Sequence, residues 1–150
     1  VEAIQLFDSW AGALDADDYE AHVLPHSKRI FQGIADLGVP RIHFGVGTGH
    51  MLGLMRDAEP DVVGVDWRLP LDEAWAKVGE GAGIQGNLDP AILLAPWEVV
   101  ERKALDVLRR AAGRPGHIFN LGHGVLPETP PEHLERLVEL VHERTHRPGG

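Results

Sequence analysis

The chain of 150 residues contains no cysteine. Disulfides, thiolate metal sites and a cysteine nucleophile are therefore excluded, and the composition fits a reducing compartment. No apolar run approaches the ~20 residues that a membrane helix needs, and the N-terminus lacks the basic and then apolar segments of a signal peptide. These absences predict a cytoplasmic protein without a membrane partner.

Positive charge is also scarce. The chain has 14 Lys and Arg against 23 Asp and Glu, which gives a net charge of −9. Nucleic-acid binding needs clustered Lys and Arg to neutralise phosphates. The basic residues of this chain are spread along its length instead, so we expect no nucleic-acid partner. A hydrophobic content of 43% with 25% charged residues is typical of a globular protein.

Five short apolar runs are present, and each is followed by a helical pattern. The runs are Ala3–Phe7, Arg41–Val46, Val62–Asp66, Ala82–Asn87 and His117–Leu121. This alternation predicts an α/β fold with about five parallel strands joined by helical crossovers. An open doubly wound sheet and a (β/α)₈ barrel both satisfy the alternation, and periodicity alone does not choose between them.

The helical segments carry recognisable start and stop signals. Asp15 is a predicted N-cap for a long helical pattern that stops at Gly38, and Pro25 predicts a kink or a split near Leu24. The remaining expectations are a short helix over Leu71–Val78, a terminal helix over Glu132–His146 and a frayed end at Arg147–Gly150.

Small and polar residues gather where the predicted strands end. In both candidate architectures, ligands bind at the carboxyl ends of the strands. Ser9 follows the first strand, but the hydrolase motif G-x-S-x-G is absent. A serine acts as a nucleophile only beside an activating base, so we interpret Ser9 as a hydrogen-bonding or turn residue.

Asp66 and Arg68 follow the third run. The carboxylate of Asp66 suits a general acid or base, and it equally suits a turn cap or an ion pair with Arg68. Arg68 is the cation that we expect at the mouth of the site. The glycine-rich loop Gly45–Gly49 lacks the Lys-Ser/Thr ending of a P-loop and the spacing G-x-G-x-x-G, so nucleotide binding is not expected.

Nine histidines raise the possibility of a metal site. His22 and His26 lie four residues apart, but Pro25 disturbs the intervening helix and the motif H-E-x-x-H is absent. We therefore predict no metal site. His123 is different because Gly122 and Gly124 flank it, which allows a tight turn and the close approach of a ligand. An ordinary strand-to-helix turn that contains a histidine explains Gly-His-Gly equally well.

Five longer motifs carry more information than any single residue. They are Q-L-F-D-S-W-A-G, I-H-F-G-V-G-T-G, V-V-G-V-D-W-R, I-Q-G-N-L-D-P and F-N-L-G-H-G-V-L-P-E-T-P-P-E-H. In this order they resemble the uroporphyrinogen decarboxylase family. The resemblance implies that residues 1–150 form the C-terminal part of a (β/α)₈ barrel domain whose N-terminal portion is absent, since a whole barrel takes ~250 residues.

The same resemblance implies a function. The family removes carbon dioxide from the four acetate side chains of uroporphyrinogen III and gives coproporphyrinogen III, in haem biosynthesis, without a cofactor. The residues that match Phe7, Ser9 and His123 contact the porphyrinogen. The family's key arginines, its aspartate and a site tyrosine come from the N-terminal portion. We therefore expect these 150 residues to hold substrate-binding but no catalytic residues, to be inactive alone, and to form a homodimer at full length.

Two alternatives stay open. One is a zinc-dependent corrinoid or thiol methyltransferase of the same superfamily, although such enzymes use His and Cys ligands and this chain has no Cys. The other is a non-catalytic barrel segment.

Overall fold

Strands and helices alternate along the whole of the computed structural model, which describes residues 1–146. The strands are β1 (Ile4–Phe7), β2 (Arg41–Phe44), β3 (Val62–Gly64), β4 (Gly83–Leu88) and β5 (His117–Leu121). The α-helices are α1 (Ala16–His22), α2 (Leu24–Gly33), α3 (Leu52–Asp57), α4 (Leu71–Val78), α5 (Trp97–Ala111) and α6 (Pro131–Thr145), with short 3₁₀ turns at Ala11–Ala13, Ala35–Leu37 and Pro90–Leu94. The expected frayed end at Arg147–Gly150 lies outside the described residues.

The order of the strands decides between the two architectures that periodicity left open. All four pairings are parallel, and the strands lie side by side in chain order, β1-β2-β3-β4-β5. A doubly wound sheet reverses its strand order at a switch point, whereas a barrel adds each strand beside the last. The described sheet has no reversal. It is an arc of a (β/α)₈ barrel.

The two faces of the sheet differ in composition. Side chains alternate between faces along a strand, so the register places His43, Val63 and Ile84 on one face. This face packs against the helices, and its Val63 and Ile84 are fully buried in the main hydrophobic cluster. The opposite, concave face carries Phe7 and Phe44, which are paired in the register. Phe7 is 65% exposed there.

Helix boundaries follow the local sequence signals. The Asp15 carboxylate accepts a hydrogen bond from the backbone N–H of Asp18 at 2.8 Å and caps α1. The predicted split near Leu24 is confirmed, because Val23 separates α1 from α2 and Pro25 occupies the first turn of α2. The helix over Leu71–Val78 is also confirmed, and the terminal helix is shifted by one residue.

None of the helices within residues 1–146 has the length and apolarity needed to cross a lipid bilayer.

Candidate functional site

The carboxyl ends of the strands form a rim, and a cavity of about 450 Å³ opens there on the concave face. Its lining residues come from β1, β2, β4, β5 and the loops that follow β1 and β5: Gln5, Phe7, Ser9, Phe44, Gln85, Asn120, Leu121, His123 and Gly124. We call this space the rim cavity. The structure thus places the three sequence-predicted site residues, Phe7, Ser9 and His123, around one cavity.

Strand β1 supplies one wall of the rim cavity. The ring of Phe7 packs edge-on against Phe44, with the centroids 6.0 Å apart and the planes at 76°. The backbone N–H of Asp8 donates to the carbonyl of Phe44 at 2.7 Å, which fixes the point where the chain leaves the sheet. Ser9 follows directly and is exposed. Among the described residues its hydroxyl has no base as partner.

A buried phenol lies behind this wall. Tyr19 of α1 is fully buried. Burial, followed by the nearby Asp8 carboxylate, raises the pKa of Tyr19 to about 12, while the Ser27 hydroxyl acts in the opposite direction. The phenol therefore stays neutral at physiological pH.

Strand β5 and its loop supply the opposite wall. The backbone N–H of Gly122 donates to the carbonyl of Leu88 at 2.7 Å, which holds the loop against β4. His123 is exposed beyond it. The His123 ring meets the ring of Trp67 edge to face, with the centroids 6.4 Å apart and the planes at 87°.

Polar side chains form part of the floor. The amide Nε2 of Gln85 donates to Oε1 of Gln5 at 3.1 Å. Gln85 lies within the predicted run Ala82–Asn87, whereas the sequence analysis did not identify Gln5 as a site residue. The sequence contained the information needed to find Gln5. It lies two residues before Phe7 on the same strand, so both side chains face the same side of the sheet. The floor therefore presents side-chain amide groups to the rim cavity.

Two kinds of role were predicted for Asp66: a general acid or base, and a turn cap or ion pair. The structure shows the contacts of the second. Its side chain is 5% exposed. Oδ2 accepts a hydrogen bond from the backbone N–H of Gly47 at 2.6 Å, and Oδ1 accepts one from the backbone N–H of Arg68 at 3.0 Å. The carboxylate also pairs with the Arg68 guanidinium. Asp66 therefore ties the exit of β2 to the exit of β3.

The expectation that Arg68 lies at the mouth of the site is wrong. Its guanidinium is drawn back by Asp66 and stacks on the Trp67 ring at 4.2 Å from the centroid. Arg68 lines a separate cavity of about 330 Å³, together with Lys103 and Arg110. No Lys or Arg is among the described residues that line the rim cavity. Cations for an acidic ligand must therefore come from elsewhere.

Within residues 1–146, no three His, Cys, Asp or Glu side chains converge in a group that would hold a metal ion. The donors around the rim cavity are a hydroxyl, an imidazole and side-chain amides. They are suited to hydrogen bonding with an organic ligand.

Fold and site together define a class: an enzyme-type (β/α)₈ barrel in which polar and aromatic side chains line the rim at the carboxyl ends of the strands. A family model described as uroporphyrinogen decarboxylase (URO-D) matches residues 1–144. The chain belongs to the uroporphyrinogen decarboxylase family.

Several curated relatives carry that name. The uroporphyrinogen decarboxylase of Salinispora tropica is 60% identical over 148 residues, which cover 99% of this chain and 40% of the relative. That of Thermobifida fusca is 62% identical over 143 residues, covering 95% of this chain and 40% of the relative. The chain thus spans about 40% of the length of these relatives.

A solved structure shares the fold. A methyltransferase from Methanosarcina mazei superimposes with a TM-score of 0.83 and 18% sequence identity, covering 97% of this chain and 43% of that chain. At this identity the likeness shows the barrel architecture alone.

Proposed function

We propose that this chain is the C-terminal portion of a uroporphyrinogen decarboxylase barrel and that the rim cavity holds part of the porphyrinogen. One observation carries the proposal: a chain matched by the family over residues 1–144 gathers Phe7, Ser9 and His123 around a single cavity. The reaction is removal of carbon dioxide from the acetate side chains of uroporphyrinogen III, which yields coproporphyrinogen III.

The rest of the barrel completes the domain in this proposal. Strands β1 and β5 are the edges of the described sheet, and each has one paired neighbour. An apolar groove of about 370 Å³ runs beside β5 and α6 and includes Val125 and Val138, which are 51% and 54% exposed. Exposed apolar surface next to an unpaired strand edge favours association. We assign this surface to the remaining strands and helices of the same barrel.

The chemistry places modest demands on these residues. A pyrrole is electron-rich, so protonation of a ring carbon creates an electron sink into which the acetate carbon–carboxylate bond can break. The resulting methylene then takes a proton and becomes a methyl group, and the ring carbon releases the proton that it gained, so that one proton replaces carbon dioxide and the pyrrole is restored. The protein must hold the macrocycle and favour the charge that develops. In this chain the Ser9 hydroxyl and the His123 imidazole donate hydrogen bonds to the substrate, and the Phe7 ring packs against it.

A chimera tests the proposal. This chain replaces the matching segment of the Salinispora tropica enzyme, which is 60% identical to it. We expect the chimera to convert uroporphyrinogen III to coproporphyrinogen III, measured by chromatography of the oxidised porphyrins. The 150-residue chain alone should show no turnover, because the cationic groups are missing from its cavity. A soluble, folded chimera without turnover would contradict the proposed activity.

Variants of the chimera test the residues. His123→Ala should lower kcat/KM about 10- to 100-fold, the range for loss of a hydrogen bond to a charged group. Ser9→Ala should lower it less, about tenfold. His22→Ala on the exposed side of α1 is the matched control and should have no effect. Unchanged turnover in His123→Ala would favour the non-catalytic alternative.

The methyltransferase alternative makes a separate prediction. It requires stoichiometric zinc, whereas the decarboxylase proposal requires none. Elemental analysis of the purified chimera, with the parental Salinispora tropica enzyme as reference, distinguishes the two.

We further propose that the complete protein is a cytoplasmic homodimer that does not bind nucleic acid. The family resemblance supports the dimer, the lack of cysteine supports a reducing compartment, and the net charge of −9 opposes phosphate binding. Light scattering of the chimera should give twice the mass of one chain, and a monomer would contradict the dimer.

A further inference from the structure

His123 has little to hold its ring in place. It is exposed, glycines flank it, and its imidazole makes no hydrogen bond or ion pair with residues 1–146. Its ring neighbour is Trp67, which it meets at 6.4 Å in an edge-to-face geometry. Such contacts between aromatic rings have a preferred geometry and are attractive. Trp67 is therefore the aromatic neighbour that the His123 ring contacts.

Trp67 also contacts a charged side chain. The guanidinium of Arg68 lies 4.2 Å from the centroid of the Trp67 ring, a cation–π contact. Arg68 pairs with the buried carboxylate of Asp66, and Asp66 accepts a backbone N–H from Gly47. A continuous series of contacts thus leads from the buried end of β3 to the His123 ring.

The backbones of the two loops also touch. A Cβ atom added at Gly122 would lie 2.6 Å from the backbone nitrogen of Trp67 and 3.0 Å from the carbonyl carbon of Asp66. The loop that carries His123 therefore rests directly on the loop that carries Trp67. The space between the two loops is too small for a side chain at Gly122.

We propose that Trp67 is a positioning residue for His123, and that it sets the direction in which the imidazole meets the porphyrinogen. Trp67 does not line the rim cavity, so it acts through His123 rather than on the substrate. The inference rests on the proposed function for its substrate, but the contact between the two rings is testable without turnover.

The chain offers a matched control. Trp97 on α5 has the same two kinds of neighbour: the Arg136 guanidinium lies 4.0 Å over its ring, and the His133 ring lies 5.9 Å away. Trp97 is not among the residues that line the rim cavity. Substitution of Trp97 removes a comparable stack without touching the site.

The first measurement is the NMR spectrum of the chimera with isotope-labelled histidine. The ring current of Trp67 displaces the imidazole signals of His123. We expect Trp67→Ala to move these signals, Trp67→Phe to move them less, and Trp97→Ala to leave them in place. His123 signals that are unchanged in Trp67→Ala would overturn the inference.

The second measurement is steady-state kinetics. Trp67→Ala should raise the KM for uroporphyrinogen about tenfold, which corresponds to the loss of one well-placed contact, with a smaller change in kcat. Trp67→Phe should keep KM within about threefold, and Trp97→Ala should do the same. Trp67→Leu keeps an apolar side chain but removes the aromatic face, so it should raise KM as Trp67→Ala does. We expect this even if the Trp67→Leu and Trp97→Ala variants have the same melting temperature. Equal KM values for the Trp67→Ala and Trp97→Ala variants would overturn the inference.

The two levels of failure are distinct. A chimera that has Trp67 in place and no turnover contradicts the proposed function, and the NMR measurement then still decides whether Trp67 orients His123. Turnover that is indifferent to Trp67 contradicts only the positioning role.

Discussion

Gln5 and Gln85 share a hydrogen bond of 3.1 Å, although two strands lie between them in the sheet. Neighbouring strands are ~4.8 Å apart, so β1 and β4 would be separated by roughly 14 Å in a flat sheet. Two extended glutamine side chains meet over that span because the sheet curls toward them. The contact is therefore a direct sign of barrel curvature.

Loss of this contact should be measurable. Gln85 is buried, and Gln5→Ala removes the acceptor of the Gln85 amide. We expect this substitution to lower the free energy of unfolding by ~1–3 kcal/mol. A double-mutant cycle with Gln85→Ala should give a coupling of ~0.5–1.5 kcal/mol in urea denaturation. The control cycle combines Gln85→Ala with Gln32→Ala, because the Gln32 side chain hydrogen-bonds to the exposed Glu59. Additive effects for Gln5 and Gln85 would argue against the contact.

Gly122 should be intolerant of a side chain. Its added Cβ would clash with the backbone of Trp67 at 2.6 Å, and backbone cannot swing aside as a flexible side chain can. We expect Gly122→Ala to cost ~1–3 kcal/mol in thermal or urea unfolding. Gly124→Ala is the matched control, because nothing lies within 4 Å of its added Cβ. Similar stabilities for the two variants would contradict the close approach of the loops.

The single tyrosine gives a clean titration. Burial and Asp8 raise the pKa of Tyr19 from 10.0 to about 12, since both disfavour the phenolate. The stabilisation associated with the neutral phenol is complete below pH 10 and is lost as the pH rises toward 12. Phenolate absorbance should show a midpoint near 12 in the folded chain and near 10 in urea.

Two variants support that titration. Asp8→Asn should lower the midpoint of the folded chain, because it removes the neighbouring negative charge, and Tyr19→Phe should abolish the signal. A midpoint near 10 in the folded wild-type chain would mean that Tyr19 is accessible to water.

The ion pair of Asp61 should make the free energy of unfolding depend on pH in the acidic range. Two side-chain nitrogens of Arg41 donate hydrogen bonds to the Asp61 carboxylate, at 3.0 and 3.1 Å. These bonds hold the pKa of Asp61 below its usual 3.8. The stabilisation is present above the usual pKa and is lost as the pH falls through the lowered pKa of the folded state. Asp61→Asn should cost ~0.2–1 kcal/mol at neutral pH, as for other exposed pairs.

Urea denaturation over a range of acidic pH checks this prediction. The unfolding free energies of wild type and Asp61→Asn should converge as the pH falls, whereas Asp36→Asn, at an exposed acid outside this pair, should follow the wild type throughout. A constant gap between wild type and Asp61→Asn would contradict the pKa shift.

Much of the fold could be predicted from local patterns. β-Branched and apolar runs bounded by glycine and proline located all five strands, and His117–Leu121 matches the structure residue for residue. The run Val62–Asp66 was predicted too long because Asp66 is turned to cap neighbouring loops rather than to extend the strand. Short 3₁₀ turns such as Pro90–Leu94 were missed. They have no hydrophobic period long enough to detect.

Contacts between distant residues were harder to predict. The grouping of Ser9 and His123 was expected, because the carboxyl ends of parallel strands share one edge. The position of Arg68 was not, since its side chain is set by a salt bridge and a ring stack whose geometry depends on the folded loop. Strand order, which separated the barrel from the doubly wound sheet, also needs long-range pairing that periodicity does not contain.

The hydrogen bonds of Asp66 limit which changes in the loops of this rim are tolerated in evolution. Its carboxylate binds the exit of β2, and its carbonyl accepts the amide of Asn87 from β4 at 2.9 Å, so the spacing of three neighbouring exits is set by one residue. Insertions into these loops would break that spacing, whereas replacement of individual lining side chains would not. New specificities on this scaffold should therefore arise by exchange of side chains at constant loop length.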